Sequence, residues 1–487
     1  MRNVFPYSGR EAKPDSKRSI LRAAFLCGVA VSLSGCQTFS ADGGMSPVAL
    51  FGQSEMKKDV AVIRTEDDAQ ATHSVVAKLL KRSLDSESAV QVALLNNRGL
   101  QAAYNELAIA EADMVGESLP PNPTFSISRI VGGGTAELER QVAFDILSLV
   151  TLPARSEIAG KRFRQAQLRA IMETLKVATE TRRAYFKVVA SNELTKLLAQ
   201  AEATAQSTAK LATKLGESGS LNKLDQAREQ AFYAETSAEL AMARQEAVGA
   251  REQLTRLMGL WGGDLNFRLP NTLPSLPPRP RRLPTVEADA VSKRVDLQIG
   301  RIELEALAKQ YGLTQATRFV NMLEAAGISK KTTANDGSVE RTRGLSAQLE
   351  IPIFDFGEVR VRSAEARYLQ AVNRLVDKAV NVRSEAREAY RAYRATYDIA
   401  SHYQRDVLPL RKIITEESQL RFSAMQIDVF ALLQEARQRI AVLKASIESK
   451  RAFWQASNDL TAAIVGGGTG AAAESRVVAD ASAPGSN

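Results

Sequence analysis

Most of the chain repeats apolar residues every three to four positions. Leu168, Ile171, Leu175 and Ala178 have this spacing, and charged residues fill the positions between them. Such a pattern predicts an amphipathic helix. The tract from Arg155 to Leu215 would be about 90 Å long at about 1.5 Å per residue. Helices of this length are typical of extended, coiled-coil-like proteins, and an aromatic content of only 6% agrees with that class.

Shorter stretches alternate apolar and polar residues and predict two β-hairpins, one in each half of the chain. The predicted strands are 124–131, 139–149, 317–328 and 345–353, with turns at GGGT (132–135) and in the polar segment 330–340. Arms of this length match the roughly 9 to 11 residues of a tilted strand that crosses a bilayer. Four strands cannot close a barrel, because the smallest membrane barrels have about eight. Either the hairpins lie on a soluble protein, or several protomers share one barrel, and three protomers would supply twelve strands.

The two halves of the chain match each other at an almost constant offset. RFRQA at 162–166 matches RYLQA at 367–371, and Tyr185 matches Tyr390, both 205 residues apart. Farther along, LDQAREQ at 224–230 matches LQEARQR at 433–439, which is an offset of 209. We therefore expect each half to contain a helix, a strand pair and two long helices. The larger offset predicts about one extra helical turn in the second copy, and hence two unequal helix tips.

Two kinds of connection stand out in this repeated plan. In IPIFDFGEVR (351–360), Pro352 and Gly357 are predicted to end the strand and let a helix begin at Glu358. The first copy lacks both residues and is expected to use Pro153 at a different register. The long helices reverse at LGESGSLNKLDQ (215–226) and at RFSAMQIDVFALLQ (421–434).

The N-terminus predicts export. A basic stretch precedes the apolar run at 23–33, which is too short to span a bilayer, and LSGC ends at Cys36. Cleavage before Cys36 would remove six basic and two acidic residues, lowering the net charge from +9 to +5. The predicted segments are a signal peptide 1–35, an acylated N-terminal segment 36–85, a first repeat 86–268, a proline-rich connector 269–285, a second repeat 286–465 and a flexible tail 466–487. Ordinary cleavage, with Cys36 left as a free thiol, is the alternative.

The sequence offers little for catalysis. His73 and His402 have no metal-ligand spacing around them, and no phosphate loop or nucleophile motif is present. No basic run is interleaved with stacking aromatics, so nucleic acid is not an expected partner. We predict a protein that is not an enzyme and that uses no metal and no cofactor.

Taken together, the signal peptide, the LSGC ending, the doubled plan and IPIFDFGEVR resemble the TolC-like outer-membrane efflux proteins, the outer-membrane factor family, and in particular its lipoprotein branch. The resemblance covers about 86–465. It implies a mainly α fold in which long antiparallel helices form a periplasmic α-barrel and four β-strands per chain contribute to a shared twelve-stranded trimeric barrel. A homotrimer would then be a passive export conduit in the outer membrane, lipid-anchored through an acylated (palmitate-bearing) Cys36. Its partners would be outer-membrane lipid, a periplasmic adaptor and an inner-membrane pump of RND or ABC type.

On the same resemblance, the helix tips would dock the adaptor, through Gly219, Leu221, Met425 and Ile427. The family commonly has glycine in the second turn as well, where this chain has Ala424-Met425, so the conformation of that turn stays open. Chain reversal alone is the simpler role for both turns.

Asp428 follows the second turn, and in a trimer it could form a carboxylate ring that acts as a periplasmic gate. A helix N-cap is the simpler role for this residue. A periplasmic coiled-coil lipoprotein, acting as a scaffold or an adaptor, is the alternative for the whole chain. The exported substrate and the class of pump are not predicted.

Overall fold

The computed structural model describes residues 39–467 and consists mainly of helices with one four-stranded antiparallel sheet. The predicted fold class is confirmed at this level. The predicted signal peptide, Cys36 and the tail beyond residue 467 lie outside the described residues. Within that described part, no helix is both long enough and apolar enough to cross a membrane.

The helices fall into two similar series separated by the proline-rich connector. They are α1 Ser46–Phe51, α2 Glu66–Leu80, α3 Ser86–Asn96, α4 Arg98–Ser118, α5 Ile146–Glu217, α6 Lys223–Met258, α7 Val286–Lys293, α8 Val295–Ala316, α9 Glu358–His402, α10 Leu408–Ser423 and α11 Val429–Val465. A π-helical turn at Tyr403–Val407 joins α9 to α10. Helical backbone therefore continues from the start of α9 to the end of α10.

The sheet is a meander of two hairpins. Its strands are β1 Thr124–Gly132, β2 Thr135–Asp145, β3 Met322–Ala334 and β4 Val339–Glu350, hydrogen-bonded in the order β1-β2-β3-β4. The β1–β2 turn is Gly133-Gly134, and both glycines have positive φ, as a two-residue hairpin turn of type I′ requires. The second hairpin turns between Ala334 and Val339, with Gly337 at φ +80°.

The observed strands differ from the predicted ones at several ends. Residues 146–149 are helical rather than extended, because the Asp145 carboxylate accepts a hydrogen bond from the backbone N–H of Ser148 and caps the start of α5. The polar segment 330–340 lies mostly in β3 and β4 instead of forming a long turn. Polar residues are tolerated there because a strand in a sheet needs only one apolar face.

The first strand-to-helix passage does not use Pro153 as predicted. Pro153 is the eighth residue of α5, where it removes one early hydrogen bond without ending the helix. Ile351 and Ile353, predicted to end the fourth strand, follow β4, whose last residue is Glu350.

The offset between the two copies also needs correction. The left-handed turn residues Gly219 and Met425 are 206 positions apart, as are the helix caps Asn222 and Asp428. The predicted extra helical turn is therefore absent: α6 has 36 residues and α11 has 37. The change from 205 to 206 is a single residue, and the π-helical turn at Tyr403–Val407 accounts for it, because such a turn inserts one residue into an α-helix.

The chain divides into two compact units. One contains the sheet, within residues 112–159 and 320–351; the other contains residues 41–111, 160–319 and the described residues after 351. In the second unit, an ion pair near the surface is repeated in both copies. Arg182 pairs with Glu87 at 2.9 Å in the first copy, and Arg387 with Glu287 at 3.4 Å in the second.

Two tyrosines show the same repetition in hydrogen bonding. The Tyr185 hydroxyl donates to the carbonyl of Leu84 at 3.1 Å, and the Tyr390 hydroxyl accepts from the backbone N–H of Leu283 at 3.4 Å. Burial and, to a smaller extent, the charge of Asp85 raise the pKa of Tyr185 to about 12, so this hydroxyl stays a proton donor at neutral pH.

Candidate channel surfaces and helix tips

The sheet has two chemically different faces. Residues two apart on a strand point to the same side, and so do residues directly paired across strands. Phe125 pairs with Val142, Val142 with Gly327, and Gly327 with Leu345, which places these four on one face. We call this the apolar face.

The apolar face carries large hydrophobic side chains that are exposed in the single chain. These are Phe125, Ile127, Val131, Val142, Phe144, Val339, Leu345 and Leu349. Leu345 is 93% exposed. A contiguous exposed apolar surface of this kind marks contact with a membrane or another protein.

The opposite face is acidic, and we call it the acidic face. It carries six carboxylates in the register given by the strand pairing: Glu137, Glu139, Asp145, Glu324, Glu340 and Glu350. Lys330 lies on the same face and forms an ion pair with Glu137 at 2.7 Å. This direct contact supports the assignment of faces from the register.

The predicted strand-to-helix exit, Pro352 and Gly357, lies in the turn between β4 and α9. Gly357 is the N-cap of α9 and has φ +73°, and a Cβ there would lie 2.2 Å from the carbonyl oxygen of Arg318. Arg360 donates to that same carbonyl at 3.1 Å. The close approach explains why glycine occupies this position.

The two helix tips have nearly the same backbone geometry. In the first tip, Gly219 has φ +75°, and the N–H of Ser220 donates to the carbonyl of Leu215 at 2.8 Å. In the second, Met425 has φ +58°, and the N–H of Gln426 donates to the carbonyl of Arg421 at 2.8 Å. Both are helix ends closed by a left-handed residue.

The side chains proposed for docking differ in exposure. Leu221 and Ile427 occupy equivalent positions and are half-buried, whereas Met425 is 93% exposed. Met425 takes the left-handed conformation without being glycine, which is costly for an ordinary residue. The second turn therefore has the same type as the first, although it has Met425 where the first has Gly219.

Asp428 is the N-cap of α11, and its carboxylate accepts from the N–H of Ala431 at 2.8 Å. Asn222 makes the equivalent bond to the N–H of Asp225 at 2.8 Å at the start of α6. Asp428 is exposed, so its charge remains accessible. The capping contact is observed, whereas the role of Asp428 as a gate stays a prediction.

Two buried carboxylates lie two helical turns from the tips, and the sequence reasoning missed both. Glu229 binds Arg437 at 3.1 Å, and Glu435 binds Arg411 at 3.0 Å. The first pair joins α6 to α11, and the second joins α10 to α11. Glu229 and Glu435 are 206 positions apart, so the correct offset would have matched them as equivalent residues. The sequence comparison used an offset of 209 in this region and did not match them.

No protein-family model matches the chain. The chain is 23% identical to the cobalt-zinc-cadmium resistance protein CzcC of Cupriavidus metallidurans, over 58% of this chain and 66% of CzcC. It is 25% identical to the pyoverdine export outer membrane protein OpmQ of Pseudomonas aeruginosa, over 78% of this chain and 85% of OpmQ.

Solved structures match more completely. The outer-membrane channel OprN gives a TM-score of 0.65 at 18% identity, over 80% of this chain and 92% of OprN. The CmeC outer membrane channel of Campylobacter jejuni gives 0.63 at 16% identity, over 86% of this chain and 92% of CmeC. The chain has the TolC-like outer-membrane channel fold. The resemblance drawn from the sequence is therefore confirmed at the level of the fold, while the lipoprotein branch stays a prediction.

Within this TolC-like fold, the predicted site residues form separate groups. Gly219 and Leu221 lie at one helix tip, Met425, Ile427 and Asp428 at the other, and Pro352 and Gly357 at the exit after β4. Among residues 39–467, no three His, Cys, Asp or Glu side chains are grouped so as to hold a metal ion. The two helix tips and the exit after β4 can therefore contribute contacts to a partner.

Proposed function

We propose that this chain is the outer-membrane channel of a tripartite efflux or secretion system. The channel is a passive conduit for small molecules, driven by an inner-membrane pump through a periplasmic adaptor. The acidic face of the sheet lines the conduit and the apolar face meets lipid. Relatives named for metal resistance and for pyoverdine export support export as the shared activity.

The open sheet is the observation that carries this proposal. Within the chain's described residues, β1 pairs only with β2 and β4 only with β3, so both edges of the sheet are unpaired. Unpaired strand edges cannot lie in hydrocarbon, because their backbone groups would lack hydrogen bonds. Three copies joined β4 to β1 would close a ring of twelve strands, and we choose this homotrimer because the chain resembles the trimeric TolC-like channels.

The attachment and docking parts of the proposal rest on local features. Acylation of Cys36 would hold the mature N-terminus in the outer membrane. The tips bearing Gly219, Leu221, Met425 and Ile427 would contact the adaptor, and their similar geometry offers it two related surfaces per protomer. Asp428 would add a charge beside the second surface. An RND-type and an ABC-type pump are both compatible with these features.

A pair of neighbouring substitutions tests the channel directly. Leu349 lies on the apolar face and Gln348 on the acidic face, and both are exposed in the single chain. An arginine on the lipid side of a barrel costs about 2–4 kcal/mol near the bilayer centre. We expect Leu349→Arg to reduce the amount of trimer assembled in membranes, while Gln348→Arg assembles normally and forms conducting channels in planar bilayers.

The competing function is a periplasmic coiled-coil lipoprotein, a scaffold or an adaptor, in which the sheet stays in water. In that case the two arginine variants would behave alike. Release of the protein from membranes by Cys36→Ser alone, or a monomeric protein after detergent extraction, would also exclude the channel. Conductance of the purified trimer with and without the adaptor then tests the partnership.

A further inference from the structure

Five cationic side chains interrupt the apolar face of the sheet. The register places Arg129, Leu138, Lys331 and Arg341 side by side in one row. The next row on the same face contains Ile127, Arg140, Ser329 and Arg343. Because successive residues on one face are about 7 Å apart along a strand, the two rows adjoin. We call these five side chains the basic belt: Arg129, Arg140, Lys331, Arg341 and Arg343.

The charges of the sheet are sorted by face. Within the four strands, all of them in the described part of the chain, the apolar face carries five positive groups and no carboxylate, whereas the acidic face carries six carboxylates and one lysine, Lys330. All residues of β4 are exposed in the single chain, including Arg341 and Arg343. The belt therefore has no anionic partner on its own face of the sheet.

A cluster of unpaired cations on a lipid-facing surface limits where that surface can lie. Charge on the lipid face of a barrel is most costly at the bilayer centre, and the cost decreases toward the interfaces. The rows nearer the base of the sheet, with Phe125, Phe144 and Leu349, are apolar. The belt thus marks the level of the headgroups, on the side of the hairpin turns.

We infer that the basic belt is a binding site for phosphorylated lipid headgroups. This inference rests on the proposed function, because it requires the apolar face to contact lipid. Arginine binds phosphate oxygens with paired N–H donors, and such charge-assisted hydrogen bonds strengthen where water is excluded. Two adjoining rows offer donors to two phosphates, so a bis-phosphorylated glycolipid fits the belt better than a zwitterionic phospholipid.

The test uses the full-length trimer, stripped of lipid in an uncharged detergent. Bis-phosphorylated lipid A is titrated in, and the unfolding temperature is followed, with inorganic phosphate at the same concentration as a second arm. We expect a saturable rise with lipid A and none with inorganic phosphate. Arg341→Gln combined with Arg343→Gln should raise the half-saturating lipid concentration at least about tenfold, since each lost charge-assisted contact is worth a factor of this order.

Two controls separate the site from general charge and from misfolding. Lys330→Gln removes a cation from the acidic face and should leave the titration unchanged, and Arg341→Lys with Arg343→Lys should restore most of the binding. The inference is overturned by an equal half-saturating concentration in the double glutamine variant, by an equal loss in Lys330→Gln, or by the same rise with inorganic phosphate. Failure of the proposed function is a separate result, because a wild-type protein that neither trimerises nor conducts would reveal it before lipid is added.

Discussion

Arg318 holds the start of α9 through Glu358, with 3.1 Å between its guanidinium and the Glu358 carboxylate. The same guanidinium donates to the carbonyl of Phe356 at 3.0 Å. The hydrogen bond and the charge of Arg362 lower the pKa of Glu358, and the charge of Arg318 adds a smaller effect in the same direction. Arg318 lies two residues beyond the last residue of α8, Ala316, so one side chain links the end of this helix to the beginning of α9. This contact fixes the geometry of the second strand-to-helix passage.

Gly357→Ala should disrupt that passage. The added Cβ would meet the Arg318 carbonyl oxygen at 2.2 Å, at a residue with φ +73°. Left-handed strain alone costs about 1–3 kcal/mol, and the contact with backbone adds to it. We expect a clear fall in the denaturant midpoint of unfolding.

Gly219→Ala is the matched control for this substitution. Gly219 has nearly the same φ, +75°, but a Cβ there would have nothing within 4 Å. Its cost should be limited to strain of about 1–2 kcal/mol. Equal losses of stability in the two variants would mean that the close approach to Arg318 contributes nothing.

The exit also shows where sequence reasoning reached its limit. Residues 146–152 and 351–357 occupy the same positions in the repeat, yet the first are helical and the second form a turn. The sequence predicted a break at Pro352 and Gly357, because proline has a restricted backbone and glycine a permissive one. The helical start after Asp145 depends on one capping bond to Ser148, and an apolar run such as ILSLV is compatible with either structure.

The repeated fold itself was predictable, because two periodicities and a constant offset persist over long stretches. The π-helical turn at Tyr403–Val407 was not. A one-residue insertion leaves the helical pattern intact on both sides, and a chance similarity at offset 209 suggested a larger change. The same wrong offset prevented the prediction of the buried pairs Glu229–Arg437 and Glu435–Arg411.

Glu87 should make stability depend on pH. Burial raises its pKa, but the hydrogen bond and charge of Arg182, helped by Lys58, outweigh burial and lower it overall. A carboxylate with a depressed pKa in the folded state stabilises the protein above its ordinary pKa of about 4.3, and this contribution is lost as pH falls through the depressed value. Glu87→Gln should therefore lower stability at pH 7 and have less effect at acidic pH.

The magnitude should stay below about 1 kcal/mol, because the Glu87 side chain is nearly half exposed. Chemical denaturation gives the free energy of unfolding of wild type and Glu87→Gln at several pH values. A range of roughly pH 3 to pH 7 is suitable, because it includes the ordinary pKa of a carboxylate. Glu287→Gln removes the equivalent, longer pair in the second copy and should have a smaller effect. A difference between wild type and Glu87→Gln that does not change with pH would contradict the assignment.

Met425→Gly separates docking from folding. Glycine removes the left-handed strain at φ +58°, and the exposed methionine side chain gives up little packing, so stability should be unchanged or rise by up to about 1 kcal/mol. If Met425 docks the adaptor, affinity should nevertheless fall. Binding of the purified adaptor would be measured against Met242→Ala, which removes another exposed methionine, in α6. Equal affinity in all three proteins would remove Met425 from the docking surface.

Asp428 can be tested by removing its charge while keeping its cap. Asparagine caps helices about as well as aspartate, whereas alanine costs about 1 kcal/mol. We expect Asp428→Asn to keep wild-type stability and Asp428→Ala to lose it. If Asp428 also forms a gate, both variants should reduce cation preference in single-channel recordings. Unchanged preference in Asp428→Asn would leave Asp428 as a cap only.

The two buried pairs near the tips should respond differently to loss of the carboxylate charge. Arg411 contacts both oxygens of Glu435, at 3.0 and 3.3 Å, and the hydroxyl of Thr415 lies 3.4 Å from one of them. The Glu229–Arg437 contact uses one oxygen, at 3.1 Å, and Arg437 also lies 4.2 Å from the centre of the Phe232 ring. Arg437 thus keeps a cation–π partner when Glu229 is neutralised.

Glu435→Gln should therefore cost more than Glu229→Gln. Removing one partner of a buried pair is destabilising by about 3–5 kcal/mol at most, and we expect Glu435→Gln to lie closer to that limit. Thermal unfolding of both variants measures the order, and Glu435→Gln combined with Arg411→Met should recover part of the loss, because it removes the unpaired charge as well. The reverse order would mean that the stacking of Arg437 on Phe232 does not offset the loss of Glu229.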